Sequence, residues 1–146
     1  MKVPDRLHVD KADRQLYDDM ARESVFKDQE RKEQFLTAMA IGYKEGARRP
    51  LQDIESSGFF RTAYLLPQDL ALINAVAVVQ AGSVEILLDA ESVFGIAEEF
   101  AHGGIQILHG LIMDTQFGSF AKRLEKMLFD VYNTAMEESD EKSTSR

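Results

Sequence analysis

Apolar residues recur at three- and four-residue spacing along most of this chain, which is the signature of helices packed on one face. Leu16, Tyr17 and Met20 make a narrow stripe on a charged rod, predicting a first helix from a cap at Asp10 to about Glu23. A second is predicted over 29–45, capped by Asp28, with Phe35, Leu36, Met39, Ile41 and Tyr43 on its apolar side. Lys44 in the last turn, Gly46 at the left-handed position and Pro50 beyond mark its end.

Pro67 opens a third helix, with Gln68 and Asp69 in its first turn. Its run Leu70 to Val79 is apolar nearly all round, which predicts the buried central helix; Gly82 closes it, and a short helical turn runs from Ser83 through Leu88. Asp89 caps the clearest amphipathic segment, where Val93, Ile96, Ala97, Phe100, Gly104, Ile107, Leu108 and Leu111 share one stripe. Gly103-Gly104 within it costs about 1 kcal/mol per glycine against alanine and marks a break or a close crossing, a break being the preferred reading. A last helix is predicted over 117–137, burying Phe117, Phe120, Leu124, Met127, Leu128, Val131 and Ala135.

The expected fold is therefore all-α, an irregular bundle of about five helices around a buried central helix. Residues 1–138 form one domain in this reading, and 139–146 a disordered polar tail. Strand-like alternation is suggested only at 58–66, inside the long non-periodic stretch 47–66.

Composition narrows the function classes. The 146 residues contain no cysteine, so disulfides and thiolate zinc sites are excluded. No stretch approaches the roughly 20 apolar residues of a membrane span, and no export signal is visible at the N-terminus, so a cytoplasmic location is expected. Net charge is −8, unevenly spread: residues 1–62 carry 12 basic and 12 acidic side chains, residues 63–146 carry 5 and 13. No Lys or Arg lies between Arg61 and Lys122, so the middle of the chain cannot grip phosphates through cations.

Candidate chemistry is sparse. Glu99-Phe-Ala-His102 has the carboxylate–imidazole spacing of half a di-iron motif, but the second half is missing from a chain whose histidines are His8, His102 and His109. No metal or cofactor is expected; Glu99, His102 and His109 are the ligands if a metal binds. The face carrying Glu98, His102, Gln106 and His109 reads as a solvated edge. Neither Ser83, Ser92 nor Ser119 sits in a nucleophile elbow, and Gly103-Gly104 lacks the Lys-Ser/Thr of a phosphate loop. No catalytic residues are assigned.

Two binding surfaces remain. Phe59, Phe60, Tyr64 and Leu65 add apolar bulk to a connecting segment and are the candidate interface, for a protein partner or a homodimer. Lys44, Arg48, Arg49 and Arg61, close to aromatic rings, are the candidate nucleic-acid contact.

The run Phe26-Lys-Asp, Phe35 and Ala38-Met-Ala-Ile-Gly42-Tyr-Lys44-Glu-Gly46-Ala-Arg48-Arg49-Pro50-Leu51 resembles the opening of small accessory proteins encoded beside DNA phosphorothioation and restriction defence genes. In those, a phenylalanine-bearing helix ends in Gly-x-x-x-Gly and leads into basic residues and proline. The resemblance covers residues 26–51 and contains no catalytic signature. It implies a helical prokaryotic protein of genome defence, with Lys44, Arg48 and Arg49 as the matching basic turn. The leading expectation is a non-enzymatic accessory protein working through a partner or self-association. A nucleic-acid-binding module is the alternative, and a metal-dependent enzyme the third.

Overall fold

The computed structural model describes residues 3–23, 26–114, 126 and 128–137. Within them run β1 (Arg6–Leu7), α1 (Asp13–Ala21), α2 (Arg31–Glu45), β2 (Phe60–Arg61), a 3-10 turn (Thr62–Tyr64), α3 (Pro67–Ala81), a second 3-10 turn (Val84–Leu88) and α4 (Ala90–Asp114). The chain divides into two compact units, Met1–Gly110 and Leu111–Arg146. The fold is mostly helical, as expected, with one small sheet among the described residues.

The stretch that lacks helical periodicity is ordered by the N-terminal segment. β1 and β2 pair antiparallel, Arg6 opposite Arg61 and Leu7 opposite Phe60. The pairing extends beyond the strands, because Phe59 N–H donates to Leu7 C=O at 2.7 Å, Glu55 N–H to Val9 C=O at 3.0 Å and Thr62 N–H to Asp5 C=O at 2.9 Å. Alternation then sorts the side chains: Leu7, Val9 and Phe60 turn inward, while Arg6 and Arg61 stay on the exposed side.

Asp10, expected to cap the first helix, instead joins two segments. Its Oδ1 accepts from Ala12 N–H at 3.0 Å, and its Oδ2 accepts from Gln52 and Asp53 N–H at 2.9 and 3.1 Å. The N-cap of α1 is Ala12, two residues later, and the helix starts at Asp13. The start of α2 also differs from the sequence reading: Glu30, not Asp28, is its N-cap, and Glu33 reaches back to the Glu30 N–H at 3.3 Å. Its end follows expectation, with Gly46 at φ 64°.

α2 and α4 cross closely, and glycine sets the closeness. A Cβ on Gly104 would lie 1.7 Å from the Ala38 carbonyl oxygen, one on Gly42 would lie 2.0 Å from that of Phe100, and one on Gly103 would lie 1.7 Å from that of Ala47. α4 runs unbroken through Gly103-Gly104, so the pair marks the close crossing and not the expected break. The local cost of two helical glycines is offset by the backbone contact they permit.

The expectation of a buried third helix is corrected. α3 buries Ile73, Val76 and Ala77, whereas Leu72 and Val79 are 43% and 63% exposed. The central element is α4, whose Val93, Phe94, Ala97, Phe100, Ala101, Ile105 and Leu108 are buried together with Phe35, Ala38 and Met39 of α2. Aromatic rings complete this core: Tyr17 and Phe59 have centroids 4.6 Å apart, Phe35 and Phe60 5.5 Å.

In the second unit, residues 128–137 are helical. Leu128, Val131 and Ala135, expected on a buried side, are exposed there. Phe117, Phe120, Leu124, Met127 and the tail 139–146 lie outside the described residues.

Candidate functional site

The cross-strand pair Arg6 and Arg61 forms one wall of a cleft of about 700 Å³. Arg31 and Lys32 at the start of α2, the carboxylate of Glu30 just before them, and Phe59, Phe60, Tyr64 and Leu66 complete the lining. Like charges directly opposite on a sheet repel, so this register is a cost that pairing of Leu7 with Phe60 on the other face must outweigh. Gly58 leaves room for the Arg6 stem: a Cβ there would meet Arg6 Cδ at 2.7 Å. Gly58 also has φ 77°, a conformation that glycine tolerates best.

The four cations of the cleft differ in their partners. Arg31 is fixed by Asp18 at 2.6 Å, by Gln34 at 3.1 Å and over the Phe59 ring at 4.9 Å. Lys32 pairs with Asp69 at 3.0 Å, and Asp69 also accepts the Leu66 N–H at 2.8 Å, which holds its carboxyl below the ordinary aspartate value. Arg6 and Arg61 form no ion pair among the described residues.

The structure separates the four cations read from the sequence. Arg61 lines the cleft, but Lys44, Arg48 and Arg49 do not. Arg48 lies 3.3 Å from Glu99, and Arg49 donates to Gln106 Oε1 at 2.5 Å while its N–H donates to the Glu99 carbonyl at 3.1 Å. The basic turn after α2 is thus fastened to α4. Phe59, Phe60 and Leu65, read as an interface, are 6%, 5% and 8% exposed and belong to the core of this chain; Tyr64 is 60% exposed. Arg6, Arg31 and Lys32 join the cleft without having been candidates in the sequence. The alternation Arg6-Leu7-His8-Val9 is the available signal for an N-terminal strand that would bring Arg6 into play.

A second polar constellation runs along α4. His102 Nδ1 lies 2.5 Å from Asp13 Oδ2, His109 Nε2 lies 3.1 Å from Asp19 Oδ2, and Glu98 receives the His8 backbone N–H and faces His8 Nδ1 at 3.2 Å. The expected solvated edge is therefore a seam between α4 and the N-terminal segment with α1. Burial pushes the Asp13 carboxyl above its ordinary value despite the His102 hydrogen bond and charge. Burial likewise raises Glu98 against the hydrogen bonds and charge of His8. At Asp10, burial is outweighed by the N–H groups of Asp53, Ala12 and Gln52 and by His102, leaving its pKa below the ordinary value.

Glu99, His102 and His109, the conditional metal ligands, each face a different partner: Arg48, Asp13 and Asp19. No group of three or more His, Asp or Glu side chains among the described residues is placed to hold a metal ion. No helix among them is long and apolar enough to cross a membrane.

No curated protein and no solved structure gives a significant match to the chain. A family model does, over residues 6–146, spanning β1, the cleft, the α2–α4 crossing and the seam, and the chain belongs to the family of DNA sulphur modification system-associated protein 4.

Proposed function

We propose that this chain is a non-enzymatic accessory protein of a DNA sulphur modification system, acting in the cytoplasm by docking onto a protein partner. The observation that carries the reading is the apolar surface of α3 and the 3-10 turn packed beside it. Leu72, Val79, Val84 and Leu88 there are 43%, 63%, 69% and 75% exposed. The segment from Thr62 to Ala121 has no Lys or Arg, and Glu85 and Asp89 border the apolar positions. An apolar patch rimmed by acidic groups suits a protein partner, not a phosphate backbone.

The anchors therefore move from Phe59, Phe60 and Leu65, which are consumed by the core, to α3 and the turn after it. Membership of a family tied to a multi-component system supports an external partner, and a second copy of the chain is the other occupant of this kind. The test is Val79→Asp combined with Leu88→Asp, measured by light scattering of the purified protein and by co-purification with the other proteins of the system. Loss of a complex in the doubly substituted chain, with an unchanged circular dichroism spectrum, is the expected result. Equal association of both chains, or no association of the unsubstituted one, overturns the reading.

A further inference from the structure

We infer that the cleft between the two-stranded sheet and the start of α2 binds a nucleotide unit, with Arg6 and Arg61 gripping its phosphate and the Tyr64 ring stacking its base. This site is separate from the α3 surface and stands or falls independently of it. Four observations support it. Arg6 and Arg61 are placed opposite one another by strand register, so two guanidinium groups share one side of the sheet. Neither forms an ion pair among the described residues, and Glu30 is the one carboxylate among the residues that line the cleft, in a chain of net charge −8. An anion between them relieves the repulsion, and the planar guanidinium fork matches phosphate oxygens.

The second observation is preorganisation. Arg31 and Lys32 are held by Asp18, the Phe59 ring and Asp69, so their charges are largely offset by these carboxylates and they form a fixed wall with little left to order on binding, which leaves Arg6 and Arg61 to supply the net charge. The third is Gly58, whose lack of a side chain lets the Arg6 stem lie against the backbone at the mouth of the sheet pair. The fourth is size and chemistry. A space of about 700 Å³ falls within the range of small-ligand sites, and a tyrosine 60% exposed at its edge offers a ring face for stacking. Bare phosphate would leave that ring and most of the space unused.

The test uses the full chain and a short dye-labelled single-stranded oligodeoxyadenylate, followed by fluorescence anisotropy at low salt, with dAMP and inorganic phosphate as competitors. Binding is expected, and it should weaken about tenfold or more in Arg6→Gln and in Arg61→Gln. Tyr64→Ala should weaken it about fivefold or more. Log Kd should rise against log salt with a slope of about 1.4, the value for two phosphate contacts on a single strand. Arg22→Gln, outside the cleft, serves as the control and should bind as the unsubstituted chain does.

Competition by dAMP comparable to that of the unlabelled strand identifies a free nucleotide as sufficient, and competition by the strand alone identifies a polymer; either agrees with the inference. Absence of binding at low salt, or equal binding by Arg6→Gln and Arg61→Gln with circular dichroism unchanged, overturns it. Inorganic phosphate competing as well as dAMP, together with no effect of Tyr64→Ala, overturns the assignment of a nucleotide.

Discussion

The imidazole Nδ1 of His102 on α4 and the carboxylate Oδ2 of Asp13 on α1 meet at 2.5 Å, both side chains almost wholly withdrawn from solvent. A buried pair of this kind is costly to break from one side, because the remaining polar group has neither water nor partner. Asp13→Ala and His102→Ala should each destabilise the fold by about 3–5 kcal/mol. The double substitution should cost clearly less than their sum, since it leaves no orphan of the pair. Urea unfolding of the four chains gives the coupling; strict additivity would mean that the contact contributes nothing.

The glycines of α4 predict opposite signs along one helix. Gly104→Ala drives a methyl group to 1.7 Å from the Ala38 carbonyl oxygen, so α2 and α4 must separate, at a cost of about 1–3 kcal/mol or more. At Gly95 and Gly110 a methyl group would meet nothing within 4 Å, and alanine there should stabilise by about 0.4–1 kcal/mol through helix propensity and loss of unfolded-state freedom. Thermal midpoints of the three single variants check this. Destabilisation by Gly95→Ala and Gly110→Ala would show that space at those positions is not free.

The division between core and surface in the aromatic segment can be read by stability alone. Phe60→Ala removes a ring packed against Phe35 and should cost about 3–5 kcal/mol. Tyr64→Ala and Leu88→Ser, at positions 60% and 75% exposed, should stay within about 0.5 kcal/mol of the unsubstituted chain. Denaturant midpoints decide it, and a large loss in Leu88→Ser would move the second 3-10 turn into the core.

Local punctuation is legible in the sequence, and long-range company is not. Gly46, Pro67 and Gly82 end or start helices because the backbone at those positions demands it, whatever lies beyond. Residues Leu70 to Val79 read as central since apolarity says that a face will be covered, without saying whether the cover belongs to the same chain. Gly103-Gly104 reads as a break since only the cost of the pair is local; the helix that exploits it begins some seventy residues earlier, on α2. His102 and His109 read as solvated because Asp13 and Asp19 are 89 and 90 positions away. Of the cleft, only Arg61 and its aromatic neighbours are visible, as Arg6 joins them through strand pairing between distant segments.

Acid should act through the carboxylates that the fold holds in their charged form. Asp10, Asp19, Asp69 and Asp89 all sit below the ordinary aspartate value of 3.8. Each contributes stability that is complete above that value and is lost as pH falls through its lower value in the folded chain. Asp13 and Glu98, raised by burial, act in the opposite sense: their contribution is present at low pH and lost as pH rises through their folded values. Asp10→Asn should therefore be less stable than the unsubstituted chain at neutral pH, and the difference should shrink as pH drops from about 4 toward about 2. Urea midpoints across that range test it, and a difference independent of pH would assign the effect of Asp10 to shape instead of charge.

Tyr17 gives the sharpest test of polar satisfaction in the core. Its side chain is fully buried, and its hydroxyl has no hydrogen-bond partner among the described residues. Burial, with the nearby Asp13 charge, drives its pKa well above the ordinary value. An unpaired buried hydroxyl costs about 1–3 kcal/mol, while the ring packs on Phe59 in a way that phenylalanine preserves. Tyr17→Phe should accordingly stabilise the fold by about 1 kcal/mol, since it removes the polar atom and keeps the contact. A loss of stability instead would show that the hydroxyl is satisfied in solution and that the seam around Asp13 includes it.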